Sequence, residues 1–196
     1  MDKQLEIRRK VFHLLFGILL VFLIFYNFIG RLILAIIILA SFLLLLLARK
    51  VNLPVISWCL RNFERPEIRK KFPGRGSLFY LAGAELSLLL FSKNIAMASI
   101  IILAIGDSIP NIVGMHFGRI RHPFSDKRFL EGAAIGIVIA AIAAHIFVVW
   151  YEALIASVFA VFLEGIDIKL GLEKVDDNLI VPLSAGIAIT LIRMIT

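Results

Sequence analysis

Long apolar runs separated by short charged segments recur along the chain and limit the folds open to it. Seven such runs are present, at residues 11–29, 32–48, 77–91, 95–117, 132–150, 153–163 and 179–195. A transmembrane helix needs about 20 apolar residues to cross the hydrocarbon core of a bilayer. The third and sixth runs are short, and each contains or adjoins an acidic residue. We expect one all-α transmembrane domain over residues 1–196, with about seven membrane-spanning helices.

The composition excludes a water-soluble domain. Hydrophobic residues make up 61% of the 196 residues, whereas soluble domains average about 45–50%. The net charge of +7 could suggest a nucleic-acid partner. The basic residues lie between the apolar runs, however, which is where membrane proteins keep their topology signal. We therefore expect the lipid bilayer, and no nucleic acid, as a partner; a homodimer stays open.

The distribution of basic residues predicts an orientation in the membrane. If successive runs alternate in direction, 18 of the 21 Lys and Arg residues fall on one side and 3 on the other. Positively charged loops stay in the cytoplasm, so we expect a cytoplasmic N-terminus and a site facing the cytoplasm, in a cell membrane or an endoplasmic-reticulum-type membrane. The first run exceeds a signal-peptide core of roughly 7–15 residues, so we expect it to be retained as a helix.

A shorter apolar stretch at residues 54–63 carries Val55 and Trp58 and ends among basic residues. It is too short to span a bilayer. We expect a short helix lying in the cytoplasmic interface. The simpler alternative, which the segment as a whole favours, is a basic loop held near anionic lipid headgroups.

Two acidic residues lie inside apolar runs. Glu85 is near the middle of the third run and Asp107 is within the fourth. A charge at the bilayer centre costs about 2.5–3.5 kcal/mol or more, so such residues tend to be functional. Pro110 can break the helix just beyond Asp107, which is tolerated where protein or a wet cavity satisfies the backbone. We expect Asp107 to be functional, and Glu85 to line the same cavity or to pair with a basic residue.

Asp107 shares one helical face with three further residues. Asn111, Gly114 and Gly118 follow it at i+4, i+7 and i+11. Carboxylate and amide oxygens suit Mg²⁺, and bare glycine backbone lets a phosphate chain approach closely. Helix packing is the alternative for the two glycines, because they also form the small-xxx-small pattern of packed membrane helices.

Charged residues are concentrated in the loop after this helix. Four cations occur there, namely Arg119, Arg121, Lys127 and Arg128, and Glu131 follows at the start of the next run. Basic side chains of this kind hold phosphate oxygens, while carboxylates hold the metal ion that accompanies a polyphosphate. Ordinary positive-inside charge would explain the cations but not the acid.

The last loop before the final run is acidic. It contains Glu164, Asp167, Asp176, Asp177 and Asn178. Asp177 and Asn178 are both preferred helix N-caps, so capping is their simplest role. Acidic groups nevertheless occur at three membrane-mouth positions: at Asp107, at Glu131 and in this loop. Helix capping does not explain all three together.

These motifs resemble those of one enzyme family, the CTP-dependent lipid-alcohol kinases, which include dolichol kinase, phytol kinase and the CTP-using diacylglycerol kinase. The family is distantly related to the CDP-diacylglycerol synthases. The matching stretches are Glu-Ile-Arg-Arg-Lys-x-x-His-x-x-x-Gly at residues 6–17, Gly-Asp at 106–107 with the glycines that follow, Lys-Arg-x-x-Glu-Gly at 127–132, and Asp-Asp-Asn-Leu-x-x-Pro-Leu at 176–183. Two positions depart from the family pattern, because Phe129 stands where Ser or Thr is usual and Asp126 where Pro or Gly is usual.

The resemblance implies transfer of the γ-phosphate of CTP to the hydroxyl of a long-chain lipid alcohol, such as a dolichol or another polyprenol. The products would be the lipid monophosphate and CDP, and Mg²⁺ or another divalent cation would be the cofactor. The implied metal-binding and catalytic residues are Asp107, Glu131 and Asp177. The implied nucleotide-binding residues are Asn111, Gly114, Gly118, Arg119, Lys127, Arg128 and Asn178. Accessory positions are Arg9, His13, Glu85, Glu164, Asp167 and Asp176.

Two other functions stay open at this point. A cytidylyltransferase would move the CMP group of CTP onto a lipid phosphate and release pyrophosphate; the stretch at residues 106–132 fits it equally, whereas residues 176–183 favour the kinase. A small ion-coupled transporter could use Glu85 and Asp107 instead. It would show flux without nucleotide turnover.

Overall fold

The computed structural model describes residues 3–122, 125–166, 169–170 and 173–195, and this part of the chain is a helical bundle. Its α helices are α1 (Lys3–Phe25), α2 (Arg31–Ala48), α3 (Pro54–Phe63), α4 (Pro66–Lys71), α5 (Arg75–Leu90), α6 (Lys93–Phe117), α7 (Leu130–Ala144), α8 (Trp150–Glu164) and α9 (Asp177–Ile195). The strands are β1 (Arg121–His122), β2 (Ser125–Phe129), β3 (Lys169–Leu170) and β4 (Glu173–Lys174). The all-α expectation is confirmed, apart from two short antiparallel hairpins in the polar loops.

Helix α6 forms the centre of the bundle. Its residues 95–108 are all buried, and it packs against α1, α5, α7, α8 and α9. Within the described part of the chain it is, with α2 and α9, one of three helices long and apolar enough to cross a membrane, as expected of an integral membrane protein. A central helix that is apolar all round needs cover on every side, and the surrounding helices provide it.

Helix α6 continues through Pro110 instead of breaking there. Two glycines of α7 make room for the proline ring and the adjacent backbone. A Cβ on Gly136 would lie 2.4 Å from Pro110 Cγ, and one on Gly132 would lie 2.3 Å from the Pro110 carbonyl oxygen. The side-chain amide of Asn111 donates to the Asp107 carbonyl oxygen at 2.8 Å, which adds a bond within the turn that precedes the proline.

The end of α7 differs from the apolar run that predicted this helix. The run at 132–150 is not one helix, because α7 ends at Ala144 and α8 begins at Trp150. Between them His145 Nδ1 lies 3.1 Å from the Val148 carbonyl oxygen and stabilises a turn. The other residues of this turn, 146–149, are all apolar. Hydropathy alone does not distinguish such a turn from a helix.

The short helix expected at residues 54–63 is present as α3. It begins with Pro54, whose missing N–H costs nothing at the first turn of a helix. Phe63 stacks on Phe12 of α1 with ring centroids 4.7 Å apart, so α3 lies against the beginning of α1. The opposite side of α3 leaves Val55 and Trp58 exposed.

Candidate functional site

A buried ionic cluster lies where α1 meets the second half of α6. Asp107 is 6% exposed, and its Oδ1 lies 2.5 Å from Lys10 Nζ, which is also buried. Its Oδ2 lies 3.4 Å from His13 Nε2. A charge without a partner is costly in an apolar interior. Helix α1 supplies the partners, Lys10 and His13, that stabilise the Asp107 carboxylate there.

His13 is held by an aromatic contact that depends on a glycine. The Tyr80 ring of α5 meets the His13 ring edge-on, with centroids 4.4 Å apart. The Tyr80 hydroxyl occupies the place where a side chain at Gly17 would be, since a Cβ there would lie 2.1 Å from that oxygen. The glycine that ends the stretch at residues 6–17 therefore lets Tyr80 reach His13 beside Asp107.

Glu164, the last residue of α8, extends the cluster. Its side chain is fully buried, and its Oε1 lies 2.5 Å from Arg128 Nη2. The same nitrogen lies 3.6 Å from Oδ2 of Asp177, the first residue of α9. Glu164 and Asp107 also interact electrostatically.

A series of ion pairs and electrostatic interactions therefore joins residues from all four matching stretches of the sequence. It runs from Lys10 to Asp107, then to Glu164, Arg128 and Asp177. Lys10 belongs to the stretch at 6–17, Asp107 and Arg128 to the stretches between 106 and 132, and Asp177 to the last stretch. Four of the residues chosen from sequence, Asp107, Arg128, Glu164 and Asp177, thus lie together at one end of the bundle.

A second ionic group adjoins the first along α1. Glu6 pairs with Arg9 in the next turn of α1 and accepts two hydrogen bonds from Arg65, at 2.9 and 3.1 Å. Arg65 lies between α3 and α4, so this pair ties the short helices to the beginning of α1. Arg9 also interacts electrostatically with Asp107 and Asp176, which makes it a neighbour of the cluster.

The loop before α9 is held against the beginning of α5. Asn178 donates from Nδ2 to Asp176 Oδ1 at 2.9 Å and to the Gly76 carbonyl oxygen at 3.3 Å. Arg75 Nε lies 3.8 Å from Asp176 Oδ2. Burial raises the pKa of the Asp176 carboxyl and the adjacent Asp177 adds to this, while the contacts with Asn178 and Arg75 oppose it. Asp176 thus has a structural role beside the cluster.

Glu131 is hydrogen-bonded to the backbone of the loop after α6. Its Oε1 accepts the backbone N–H groups of Arg119 and Ile120, each at 3.1 Å. The carboxylate therefore stabilises the loop after α6. Arg119 and Glu131 line a cavity of about 510 Å³ at the end of α6, together with His116, Phe117 and Gly118.

The glycine face of α6 is covered by an aromatic ring. A Cβ on Gly118 would lie 2.2 Å from Phe129 Cγ, and one on Gly114 would lie 3.1 Å from Phe129 Cδ2. In this conformation the two glycines accommodate the Phe129 ring of β2. Phe129 also stands where the lipid-alcohol kinases usually have Ser or Thr. The residue that departs from the family pattern is therefore the one that covers the glycine face.

The remaining candidates lie apart from the cluster or cannot be placed. Glu85 is on α5 and interacts electrostatically with Arg31, the first residue of α2. Asp167 lies outside the described residues, and so does the side chain of Lys127.

A divalent cation would find oxygen donors in this cluster. Among the described residues, no three His, Cys, Asp or Glu side chains form a group that could hold a metal ion. Mg²⁺, however, is usually bound by one or two carboxylates together with substrate phosphates. Asp107 and Glu164 provide such a pair, and both buried Glu164 oxygens lack a hydrogen-bond donor among the described residues, with Arg128 beside them as an ion-pair partner. Asp107 and Glu164 are therefore the described residues of the cluster that could hold such an ion.

Sequence comparison finds a relative of similar length. The chain is 30% identical over 181 residues to the uncharacterized protein MJ1137 of Methanocaldococcus jannaschii, which covers 90% of this chain and 88% of the relative. The chain belongs to the family of MJ1137. No family model and no solved structure matches it.

Lys10 and Arg65 are the site residues that sequence reasoning missed as participants. Both look like ordinary positive-inside charge. A usable signal was present for Lys10, because Glu6, Lys10, His13 and Gly17 have the same i, i+4, i+7, i+11 spacing as the face that begins at Asp107. Two helices with matching polar faces are good candidates to pack against each other. Arg65 had no such signal, since its contact with Glu6 spans 59 residues.

Proposed function

We propose that the chain is a membrane kinase that transfers the γ-phosphate of CTP to the hydroxyl of a long-chain lipid alcohol of the polyprenol type. The observation that supports this is the buried series of contacts from Lys10 through Asp107, Glu164 and Arg128 to Asp177. It joins residues from all the stretches that resemble the lipid-alcohol kinases.

We further propose that seven of the helices span the membrane and that the N-terminus is cytoplasmic. Seven helices have 15 residues or more, namely α1, α2, α5, α6, α7, α8 and α9. The 18-to-3 distribution of basic residues supports the orientation. The ionic cluster would then face the cytoplasm, where a nucleotide arrives from water and a lipid hydroxyl from the bilayer.

In this mechanism the lipid hydroxyl oxygen bonds to the γ-phosphorus as the bond from that phosphorus to the β–γ bridging oxygen breaks. CDP leaves with the electron pair. We propose that Asp107 or His13 accepts the hydroxyl proton and that Arg128 and Arg119 hold phosphate oxygens; the proximity of His13 to Asp107, the ion pair of Arg128 with Glu164 and the position of Arg119 in the cavity at the end of α6 support these roles. A bound Mg²⁺ would neutralise phosphate charge, held by Asp107 and Glu164. Such catalysis consists mostly of positioning and electrostatic stabilisation.

The test is phosphoryl transfer by purified, detergent-solubilised protein. We would supply Mg²⁺, γ-labelled CTP or ATP, and separately polyprenol, dolichol, geranylgeraniol, phytol or diacylglycerol, and follow the label into the lipid phase. Asp107→Asn and Glu164→Gln should abolish transfer. Glu152→Gln is the matched control, because Glu152 is an equally buried acid at the other end of α8, paired with Arg193 at 2.8 and 2.9 Å.

Other outcomes point to the alternatives. Pyrophosphate release when lipid phosphates replace the alcohols would contradict a kinase and indicate a cytidylyltransferase. Ion flux without nucleotide turnover in either assay would indicate a transporter. Loss of transfer in Glu152→Gln as large as that in Asp107→Asn would show that the assay reports stability and not the site.

A further inference from the structure

A cavity of about 580 Å³ lies away from the ionic cluster, between the end of α2 and the short helices α3 and α4. Five cationic side chains and no acidic one line it. They are Arg49, Arg61, Arg69, Lys70 and Lys71. A concave surface with this charge selects an anion with several oxygens, and phosphate is the common biological group of that kind.

The cationic side chains are held in place by neutral partners. Arg49 donates from Nη2 to the Lys71 carbonyl oxygen at 3.1 Å, and its guanidinium lies 4.7 Å from the centre of the Phe72 ring. Arg61 donates from Nε to the Ser57 carbonyl oxygen at 3.2 Å. These contacts orient two guanidinium groups without neutralising them.

Within the described ranges, none of the five cations forms a salt bridge with a carboxylate. Glu64 is the acid that interacts electrostatically with Arg69, but both of its oxygens accept the Gly74 backbone N–H, at 2.9 and 3.0 Å. The five positive charges that line the cavity therefore remain available to an anionic ligand.

The position of the cavity indicates where its ligand comes from. Arg49 directly follows α2, which is long and apolar enough to cross a membrane and buries only Leu34 within the protein. On the other side, α3 exposes Val55 and Trp58, and tryptophan is typical of the membrane interface. Cations at the end of a lipid-facing helix, next to an exposed interfacial helix, lie at the depth of lipid phosphates.

We infer that this cavity binds the phosphate of an anionic lipid headgroup. A free phosphate or a nucleotide offers the same oxyanion, but neither would need the apolar surface of α2 and α3 beside it. The site shares no residue with the Asp107 cluster, so the inference stands whether or not the chain is a kinase.

The experiment is native mass spectrometry of the detergent-purified full chain, with phosphatidylglycerol and phosphatidylcholine added in turn. The unsubstituted protein should retain phosphatidylglycerol preferentially. Arg49→Gln/Arg61→Gln should weaken phosphatidylglycerol binding about 25-fold, since each surface cation contributes roughly a fivefold factor. The matched control is Lys3→Gln/Arg8→Gln, which removes the same charge from exposed positions outside the cavity. It should bind phosphatidylglycerol as the unsubstituted protein does.

Three results would overturn the inference. Equal weakening in the control would mean diffuse surface charge. Equal retention of the two lipids by the unsubstituted protein would mean no headgroup selection. Displacement of phosphatidylglycerol by inorganic phosphate or CTP would assign the cavity to a soluble phosphate. If Arg49→Gln/Arg61→Gln fails to fold, Lys70→Gln/Lys71→Gln tests the same cavity with the same outcomes.

Discussion

Lys10 and Asp107, 97 residues apart in the chain, form a buried ion pair between α1 and α6, with Nζ 2.5 Å from Oδ1. Both side chains are almost fully removed from solvent. Each charge depends on the other, because neither can be hydrated where it lies. The pair therefore defines the register in which α1 packs against the central helix, and it does so directly at the proposed site.

Replacing Lys10 by Met should leave the Asp107 charge buried without its main partner. Removing one partner of a buried pair costs about 3–5 kcal/mol, so we expect a large fall in the unfolding free energy. Lys10→Met/Asp107→Asn should recover part of the loss, because both charges are then gone. Denaturant unfolding in detergent measures this. Lys3→Met, at an exposed position on the same helix, is the control, and an equal loss there would contradict the role of the pair.

Gly17→Ala should destabilise the protein by about 1–3 kcal/mol through overpacking. The added Cβ would lie 2.1 Å from the Tyr80 hydroxyl and 2.4 Å from Ala104 Cβ, so either Tyr80 or the helix pair must move. Gly30→Ala is the matched control, because nothing lies within 4 Å of a Cβ there. Thermal unfolding compares the two. A neutral Gly17→Ala would show that α1 and α6 are not packed as closely as described.

Phe129→Ser should lower the KM for CTP if the α6 glycine face binds phosphate. The ring now covers Gly118, and serine would both uncover it and restore the hydroxyl of the lipid-alcohol kinases. One hydrogen bond to a charged group contributes about 1.5–3 kcal/mol, so a tenfold or larger fall in KM is expected, with kcat little changed. Steady-state kinetics at varied CTP tests this. An unchanged or higher KM would assign the glycines to helix packing alone.

The raised pKa of Asp176 predicts how stability depends on pH. A carboxyl whose pKa is higher in the folded state binds a proton more readily there than in the unfolded chain. Its contribution is therefore fully present below the unfolded pKa of 3.8 and is lost as the pH rises through the folded pKa. Asp176→Asn, which removes this titration, should gain stability relative to the unsubstituted protein as the pH rises above about 4. Melting temperatures across this range measure it, and a difference independent of pH would contradict the burial of Asp176.

Much of the architecture followed from sequence because hydropathy is a local property. The apolar runs overlap α1, α2, α5, α6, α7, α8 and α9, and the pattern at 54–63 predicted α3. Asp107 stood out for the same reason, since a carboxylate in an apolar run is costly wherever the rest of the chain goes. The turn between α7 and α8 escaped this reasoning, because its residues are as apolar as the helices around it.

Only the tertiary structure decided which charged groups meet. Asp107 and Glu131 look equivalent along the chain, yet Asp107 contacts Lys10 and Glu164, while Glu131 binds the backbone of its own loop. The choice depends on how the helices pack, and the strength of an ion pair depends on distances that sequence separation does not encode. Residue types and their helical faces were thus determined by the sequence, whereas the partners of each charge were determined by packing.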